Sequence, residues 1–486
     1  MINTDKTLLS AAAQAPLARD HSAALLGAQP PKSAWARRGL WATVALLLAA
    51  LLWVFWAADA LHERADASYR ATSGATSGIA PSASSAATNP SALAAEGEYL
   101  ARIGNCALCH TAPGGPAFAG GRAIATPFGA VMSTNITPDA AHGLGQWTTD
   151  DFWRAMHHGK SRDGRRLSPA FPYTSYTRMS RADSDALFAY LMTVAPVPQS
   201  SAPSTLAWPF NTQAALAVWR ALYFWPQNGA APEPTSAAAA PGATPSGETL
   251  AALARGAYLV QGLGHCTECH GTRGPLGGLQ SGKTLAGAVL PGTPWYAPSL
   301  QRADEAGALS AAHTVAVLQG DTTNQGFASG PMAEVVLHGT QHLRDADAQA
   351  IAAYLQSVAH PAKAPAQREA ANAPTDPRAA KIYEDQCADC HGKDGQGQNG
   401  AYPALAANRA VLMDRPNNAV LTVLYGGFAP ATARNPRPFG MPPYLLSLSN
   451  AEVAAVLTYV RTSWGNHATG VSELQVQQIR RVQAAH

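Results

Sequence analysis

Three copies of the pattern Cys-x-x-Cys-His are the part of this sequence whose residue types and spacing could do chemistry. The copies are Cys106, Cys109 and His110; Cys266, Cys269 and His270; and Cys387, Cys390 and His391. They use all six cysteines of the chain. The pattern is typical of haem c attachment, because two thiols at this spacing bond the vinyl groups of one porphyrin and the adjacent histidine becomes a ligand of the iron. The sequence therefore predicts three covalently bound haem c groups.

Other uses of paired cysteines fit this chain poorly. A thioredoxin-like pair needs a βαβ context, and no such alternation surrounds the motifs. A structural zinc site needs two pairs close together in sequence, whereas these pairs begin at Cys106, Cys266 and Cys387. A disulfide framework usually belongs to a short secreted chain, and this chain has 486 residues.

Length and composition indicate how many domains carry the three motifs and where the linkers between them lie. At about 150 residues per domain, 486 residues predict about three domains. The net charge is only +3, so no nucleic-acid partner is expected. Segments rich in Ala, Ser, Thr and Pro divide the chain. We expect a flexible linker at 61–92, a first cytochrome domain at 93–198, an aromatic segment and linker at 199–248, a second domain at 249–360, a linker at 361–377, a third domain at 378–465 and a tail at 466–486.

Each predicted domain opens with a short helix before its motif and closes with a longer amphipathic helix. The closing helices carry apolar residues at i, i+3, i+4 and i+7 spacing, as in Val453, Val456, Leu457 and Val460. Two helices packed across a haem, with loops between them, form the cytochrome c fold. The predicted fold class is all-α: three tandem cytochrome c domains behind an N-terminal transmembrane helix.

The predicted transmembrane anchor covers residues 39–60, where Gly39 to Ala58 form an uncharged run of the length that crosses a bilayer. Lys32, Arg37 and Arg38 precede it. The positive-inside rule then keeps residues 1–38 as a cytoplasmic tail. A cleaved signal peptide is the alternative, although the apolar run exceeds the usual signal core. Both interpretations place the haem domains on the periplasmic side of the bacterial inner membrane.

A closed electron carrier needs a second axial ligand on each iron, and methionine is the expected one. Met441 lies in the loop before the third closing helix, and Met332 is the methionine in the corresponding second loop. Alignment of the closing helices puts Phe171 where Met441 stands, so the first haem is assigned the nearby Met179. His157 and His158 are the alternatives for a bis-histidine first haem.

Long strings around the motifs resemble the tri-haem cytochrome c subunits of bacterial membrane-bound alcohol, gluconate and fructose dehydrogenases. The strings are STNITPD (133–139), GLGQW (143–147), PAFPYTSY (169–176), WPFN (208–211), WYAPSL (295–300) and MAEVV (332–336). The resemblance implies an electron-transfer subunit without catalysis of its own. Its partners would be the membrane, a substrate-oxidising dehydrogenase subunit with flavin, molybdopterin or a quinone cofactor, and ubiquinone or another acceptor. Many members of the family carry methionine where this chain has Phe171.

Two other functions compete with this hypothesis. The chain could be a cytochrome c subunit of a terminal oxidase, or a haem enzyme that acts at an open first haem. The segment from Trp208 to Trp225 is also open to two interpretations, since its apolar helical face predicts packing between domains or docking to a partner or membrane surface.

Overall fold

The structure, a computed structural model, describes residues 38–46, 49, 53, 89–227, 246–301, 310–323, 326–359 and 376–484. The chain divides into two compact units, Met1–Ala57 and Ala58–His486. In the first unit residues 38–46 are helical and exposed. Most of the predicted membrane anchor lies outside the described residues. Among the residues that are described, no helix combines the length and the apolar character needed to cross a bilayer.

The second unit contains three repeats, each running from an opening helix to a closing helix. The first repeat consists of α1 (Pro90–Ile103), α2 (Cys106–His110), β1 (Ala123–Thr126), β2 (Gly129–Met132), α3 (Thr149–His158), α4 (Tyr173–Tyr176) and α5 (Arg181–Leu191). Helix α6 (Gln213–Tyr223) follows it. The linker segments 228–245 and 360–375 lie outside the described residues.

The second repeat begins with α7 (Gly247–Tyr258), which continues into one π-helical turn (Leu259–Leu263). It continues with α8 (Thr267–His270), β3 (Ala288–Val289), β4 (Tyr296–Ala297), α9 (Ala311–Leu318), α10 (Pro331–His338), a 3₁₀ turn (Thr340–His342) and α11 (Asp345–Ser357). The spacing from Tyr258 to Cys266 is one residue longer than that from Tyr99 to Cys106. A π-turn accommodates one extra residue, so the second motif keeps its place after the opening helix.

The third repeat consists of α12 (Pro377–Gln386), α13 (Ala388–His391), α14 (Arg409–Leu412), α15 (Asn417–Tyr425), β5 (Gly427–Phe428), β6 (Gly440–Met441) and α16 (Asn450–Thr462), and α17 (Glu473–Ala484) follows. Ser449 and Glu452 form a capping box at the start of α16. The helix-rich fold agrees with the predicted class. Each repeat also contains a two-stranded antiparallel sheet that the sequence patterns did not reveal.

Opening and closing helices cross closely in the first two repeats because glycine stands at the crossing. A Cβ atom on Gly97 would lie 1.9 Å from the carbonyl oxygen of Ala186, and one on Gly256 would lie 2.0 Å from that of Ala350. Any larger side chain would push the two helices apart. In these two repeats the glycine thereby lets the opening and closing helices come into direct contact.

The apolar core is distributed unequally among the repeats. One continuous cluster joins the first and second repeats and includes Leu100, Leu187, Leu259 and Ile351. The third repeat has two clusters of its own. Helix α17 supplies buried Val476 and Ile479 to one of these clusters, so the segment predicted as a tail packs against the third repeat.

The aromatic segment after the first repeat forms α6 and contacts both neighbouring repeats. Arg220 is buried, donates to the backbone oxygen of His158 and lies over the rings of Tyr173 and Phe224 at 5.3 and 4.7 Å. Trp219 Nε1 donates to the oxygen of Leu276 at 2.9 Å. These contacts support the packing interpretation for this face of the helix.

Candidate haem sites

Each Cys-x-x-Cys-His motif forms one short helix directly after an opening helix. A left-handed residue makes the turn into the first two motifs, Asn105 with φ 52° and His265 with φ 38°. Within α2, α8 and α13 the second cysteine and the histidine occupy one turn of helix. None of the six cysteines, all of which lie within the described residues, forms a disulfide bond. The six sulfur atoms are therefore available for thioether bonds.

The three motif histidines are oriented in the same way, each by one backbone carbonyl. Nδ1 of His110 lies 2.7 Å from the oxygen of Thr134, that of His270 lies 2.7 Å from Pro298, and that of His391 lies 2.9 Å from Pro403. A carbonyl oxygen only accepts hydrogen bonds, so the proton must be on Nδ1. Nε2 is then left with a lone pair for a metal, an arrangement usual for histidine ligands.

Burial further favours the neutral form of these histidines. It lowers the pKa of His110, His270 and His391, while the bond to the backbone carbonyl partly opposes that shift. Neutral imidazole is the form that binds iron. Two thiols one turn apart, followed by an oriented neutral imidazole, fit covalent haem with a proximal histidine in all three repeats.

The predicted methionines occupy three different local structures. Met441 lies in β6, which pairs with Gly427 of β5, and Met332 is the second residue of α10. Both are partly buried. Met179 is fully buried and directly precedes the N-cap of α5. The assignments of Met179, Met332 and Met441 as iron ligands stay predictions.

The alternative ligands of the first haem, His157 and His158, contact each other and a tryptophan ring. His157 and His158 are both buried on α3, with His157 Nδ1 3.1 Å from His158 Nε2. The ring of His157 also stacks on Trp153 at 4.4 Å. Phe171 packs against the ring of Tyr176, with centroids 5.4 Å apart.

The first and second haem motifs lie against each other. His265 Nε2 is 3.2 Å from the oxygen of Gly104, and a Cβ on Gly104 would meet Leu263 at 3.1 Å. Glu268, inside the second motif, accepts hydrogen bonds at 3.0 Å from Thr174 and Ser175 of the first repeat. The two attachment helices are therefore held together by direct contacts between the residues that precede and occupy them.

Two reciprocal hydrogen bonds also join the opening and closing helices of the first two repeats. Tyr99 on α1 donates to Asp347 on α11, and Tyr258 on α7 donates to Asp183 on α5, both at 2.5 Å. In each pair an opening-helix tyrosine of one repeat bonds a closing-helix aspartate of the other. The contact is isologous, as in a two-fold symmetric dimer.

Sequence reasoning missed the backbone groups that orient the histidines. Thr134 and Pro298 lie inside the strings STNITPD and WYAPSL, which carried the family resemblance without a structural role. Asn135 explains part of the first string, since its amide group donates to the oxygens of Val197 and Gln199 and fixes the loop. The strings themselves were therefore visible in the sequence. Their role was not, because it depends on backbone carbonyl groups that no residue type identifies.

Comparison with known proteins agrees with this geometry. The sequence model of the cytochrome c family matches residues 94–195, 253–359 and 377–464, one match for each repeat. The chain is 36% identical over 416 residues to the cytochrome c subunit of the quinone alcohol dehydrogenase of Gluconacetobacter polyoxogenes, covering 80% of this chain and 84% of that protein.

Two further relatives carry related names. The gluconate 2-dehydrogenase cytochrome c subunit of Pantoea cypripedii is 36% identical, with 78% of this chain and 87% of that protein covered. The fructose dehydrogenase cytochrome subunit of Gluconobacter japonicus is 34% identical, with 79% and 82% covered. Three matched repeats and three oriented histidines lead to one conclusion: the chain belongs to the cytochrome c family, in the group that contains the cytochrome c subunits of alcohol, gluconate and fructose dehydrogenases.

Proposed function

We propose that this protein is a tri-haem electron-transfer subunit, which accepts electrons from a partner dehydrogenase and passes them to ubiquinone or another respiratory acceptor. The observation that carries the proposal is the set of three motif histidines, each with Nδ1 bonded to a carbonyl and Nε2 left for iron. Haem supplies one-electron redox chemistry when bound. The protein's residues attach it, fix its orientation and set its surroundings.

The haem content is the first part to test. The full chain would be produced with a haem c maturation system and assayed by pyridine haemochrome and intact mass. We expect three haems per chain, and two after Cys387 and Cys390 are both changed to alanine. A count that stays below three in the unmodified protein would contradict the tri-haem proposal.

The axial ligands of the second and third haems are proposed to be Met332 and Met441. Met332→Leu and Met441→Leu preserve side-chain volume but remove the sulfur. Because methionine raises the potential relative to a nitrogen ligand, loss of the sulfur should shift one midpoint potential and open one iron to carbon monoxide in each variant. Unchanged potentials and unchanged carbon monoxide binding in either variant would exclude that ligand.

The localisation is proposed from the sequence of residues 39–60: retention in the bacterial inner membrane with the haem domains in the periplasm. Carbonate extraction of membranes and protease treatment of spheroplasts would test both parts. We expect the protein to stay with the membrane and its haem domains to be digested from outside. A mature amino terminus near residue 60 would instead support cleavage of a signal peptide.

The partner is proposed to be a dehydrogenase subunit that carries flavin, molybdopterin or a quinone cofactor. The relatives' names support this class, since each is the cytochrome subunit of a dehydrogenase. Mild detergent extraction from native membranes and identification of the co-purifying subunits would test it. Co-purification with terminal oxidase subunits would overturn the proposal in favour of the oxidase alternative.

A further inference from the structure

The residue directly before the N-cap of each closing helix occupies one equivalent position in the three repeats. The N-caps are Ser180, Arg344 and Ser449, so the preceding residues are Met179, Leu343 and Leu448. Two of the three are leucines, which cannot bind iron. The repeat pattern therefore suggests a packing position rather than a ligand position.

The surroundings of Met179 agree with packing. Met179 is 0% exposed and belongs to the cluster shared by the first and second repeats, which also contains Leu343. Leu448 packs against the main cluster of the third repeat. Methionine fills irregular apolar space in the same way as leucine, so the core has a sufficient reason to hold this side chain.

The ligand position should instead lie farther upstream of the N-cap. Met441 precedes Ser449 by eight residues and Met332 precedes Arg344 by twelve. In the first repeat this interval covers residues 168–172, with sequence SPAFP. None of these five side chains contains sulfur or imidazole, and Phe171 is the large one among them.

Contacts place Phe171 beside the first attachment site. Its ring packs against Tyr176, which is 5% exposed. Tyr176 belongs to the shared apolar cluster, and Phe171 and Cys106 both pack against that cluster. The aromatic pair thus packs on the same cluster as the first attachment cysteine, in the interval where the other repeats carry a methionine.

Other candidate ligands in the first repeat are engaged elsewhere. His157 and His158 contact each other, His157 stacks on Trp153, and the backbone oxygen of His158 accepts a hydrogen bond from Arg220. Met156 belongs to the shared cluster and Met192 packs against it. Met132 ends β2, paired with Ala123.

We propose that the first haem iron has no methionine ligand and keeps an open sixth position, bounded by Phe171, for a small molecule that binds ferrous iron, such as carbon monoxide or dioxygen. The inference rests on the proposed haem attachment. Met179 is then a core residue of the interface between the first two repeats. Polarity and steric access at the open side decide whether an iron binds such ligands, and an aromatic side chain there favours a neutral diatomic ligand over a charged one.

Carbon monoxide titration of the dithionite-reduced full-length holoprotein tests the proposal, with haem counted separately by pyridine haemochrome. The unmodified protein should bind one carbon monoxide per chain. Met179→Leu, which introduces the residue type found in the other repeats, should bind the same amount with an unchanged spectrum. Phe171→Met should bind none, because a sulfur at that position would close the iron.

Two results of this titration would overturn the proposal. If the unmodified protein binds no carbon monoxide and Met179→Leu binds one, Met179 is the ligand and the proposal fails. If neither protein binds carbon monoxide, another side chain closes the site and the proposal also fails. Met441→Leu serves as a positive control, since it should add one binding equivalent. A haem count below three would indicate failure of the tri-haem proposal itself, independently of the titration.

Discussion

The contact between the first and second repeats differs in kind from the contact between the second and third repeats. Between the first and second repeats runs one continuous apolar cluster, reinforced by the reciprocal Tyr99–Asp347 and Tyr258–Asp183 hydrogen bonds. The third repeat meets the second through one apolar side chain, Trp295, which packs against the third repeat's main cluster, and through several polar contacts. Asn418 exchanges two hydrogen bonds with the backbone of Tyr296, Arg409 donates to Ser299, and Thr432 donates to Gly320.

This difference indicates that the two contacts between repeats differ in stability. A shared apolar core cannot be separated without exposing it to water, so we expect the first two attachment helices to keep a fixed relative position. Hydrogen bonds at a separable face exchange readily with water and contribute less. The third repeat should therefore unfold or undock more easily, while the first two should behave as one cooperative body.

The largest expected effect comes from Asp347, which joins the first two repeats. Its carboxylate accepts from Tyr99 and from Arg255, which binds both oxygens at 2.8 Å. Asp347→Ala leaves Arg255 largely buried without this partner, so we expect a loss of about 3–5 kcal/mol in unfolding free energy. Denaturant unfolding of the holoprotein would measure it. Asp394→Ala, at an exposed position of the third repeat, is the control and should change stability by less than about 0.5 kcal/mol.

The same carboxylate gives a pH signature. Burial alone would raise the pKa of Asp347, but the hydrogen bond and charge of Arg255, together with Tyr99, outweigh it and lower the pKa. A lowered folded-state pKa adds stability above the unfolded value of about 3.9 and loses it as the pH falls through the folded value. The stability difference between the unmodified protein and Asp347→Ala should therefore shrink below about pH 4. A difference that is constant with pH would contradict this account.

Gly256→Ala should have the next largest effect, because its Cβ would enter the space of the Ala350 oxygen on α11. Overpacking of this kind costs about 1–3 kcal/mol. Hydrogen exchange should show lost protection in α7 and α11 with protection of α16 unchanged. The control on the same helix is Gly247→Ala, where nothing lies within 4 Å of the new Cβ. Equal effects of the two changes would exclude the close helix crossing.

Sequence reasoning could predict the local chemistry but not the partnership between repeats. The motifs Cys106–His110, Cys266–His270 and Cys387–His391 indicated haem because covalent attachment needs fixed residue types at fixed spacing. Helical periodicity likewise indicated the closing helices. These features depend on residues close together in the chain.

The features that sequence reasoning missed depend on residues far apart in the chain. Tyr99 and Tyr258 lie in opening helices, and no local sequence pattern pairs either of them with an aspartate of the other repeat. The assignment of Met179 as a ligand used distance along the chain and stays a prediction, while the shared core offers packing as a second interpretation of that side chain. Equivalent positions before three N-caps become visible only when the helix boundaries are known.

Asn418→Ala tests the polar face of the third repeat. The change removes hydrogen bonds of 2.9 and 2.8 Å and leaves the backbone groups of Tyr296 without them. Each broken bond of this kind costs about 0.5–1.5 kcal/mol. Hydrogen exchange should rise in α15 and in residues 294–299, while α1, α5, α7 and α11 stay protected. Asn399→Ala, in an exposed turn of the third repeat, is the control. Loss of protection in α1 would mean that the three repeats form one cooperative body.

The smallest expected effect is that of the ion pair Arg122–Glu334, which also links the first two repeats. Its atoms lie 2.7 Å apart, but the two side chains are 32% and 50% exposed. Exposed pairs contribute about 0.2–1 kcal/mol, so a double-mutant cycle with Arg122→Ala and Glu334→Ala should give a coupling energy in that range. The coupling should fall further when salt is added, because salt screens exposed charges. A coupling energy as large as the stability loss in Asp347→Ala would mean that a solvent-exposed pair contributes as much as a buried one. That result would contradict the view that the buried core and the Asp347 contacts hold the first two repeats together.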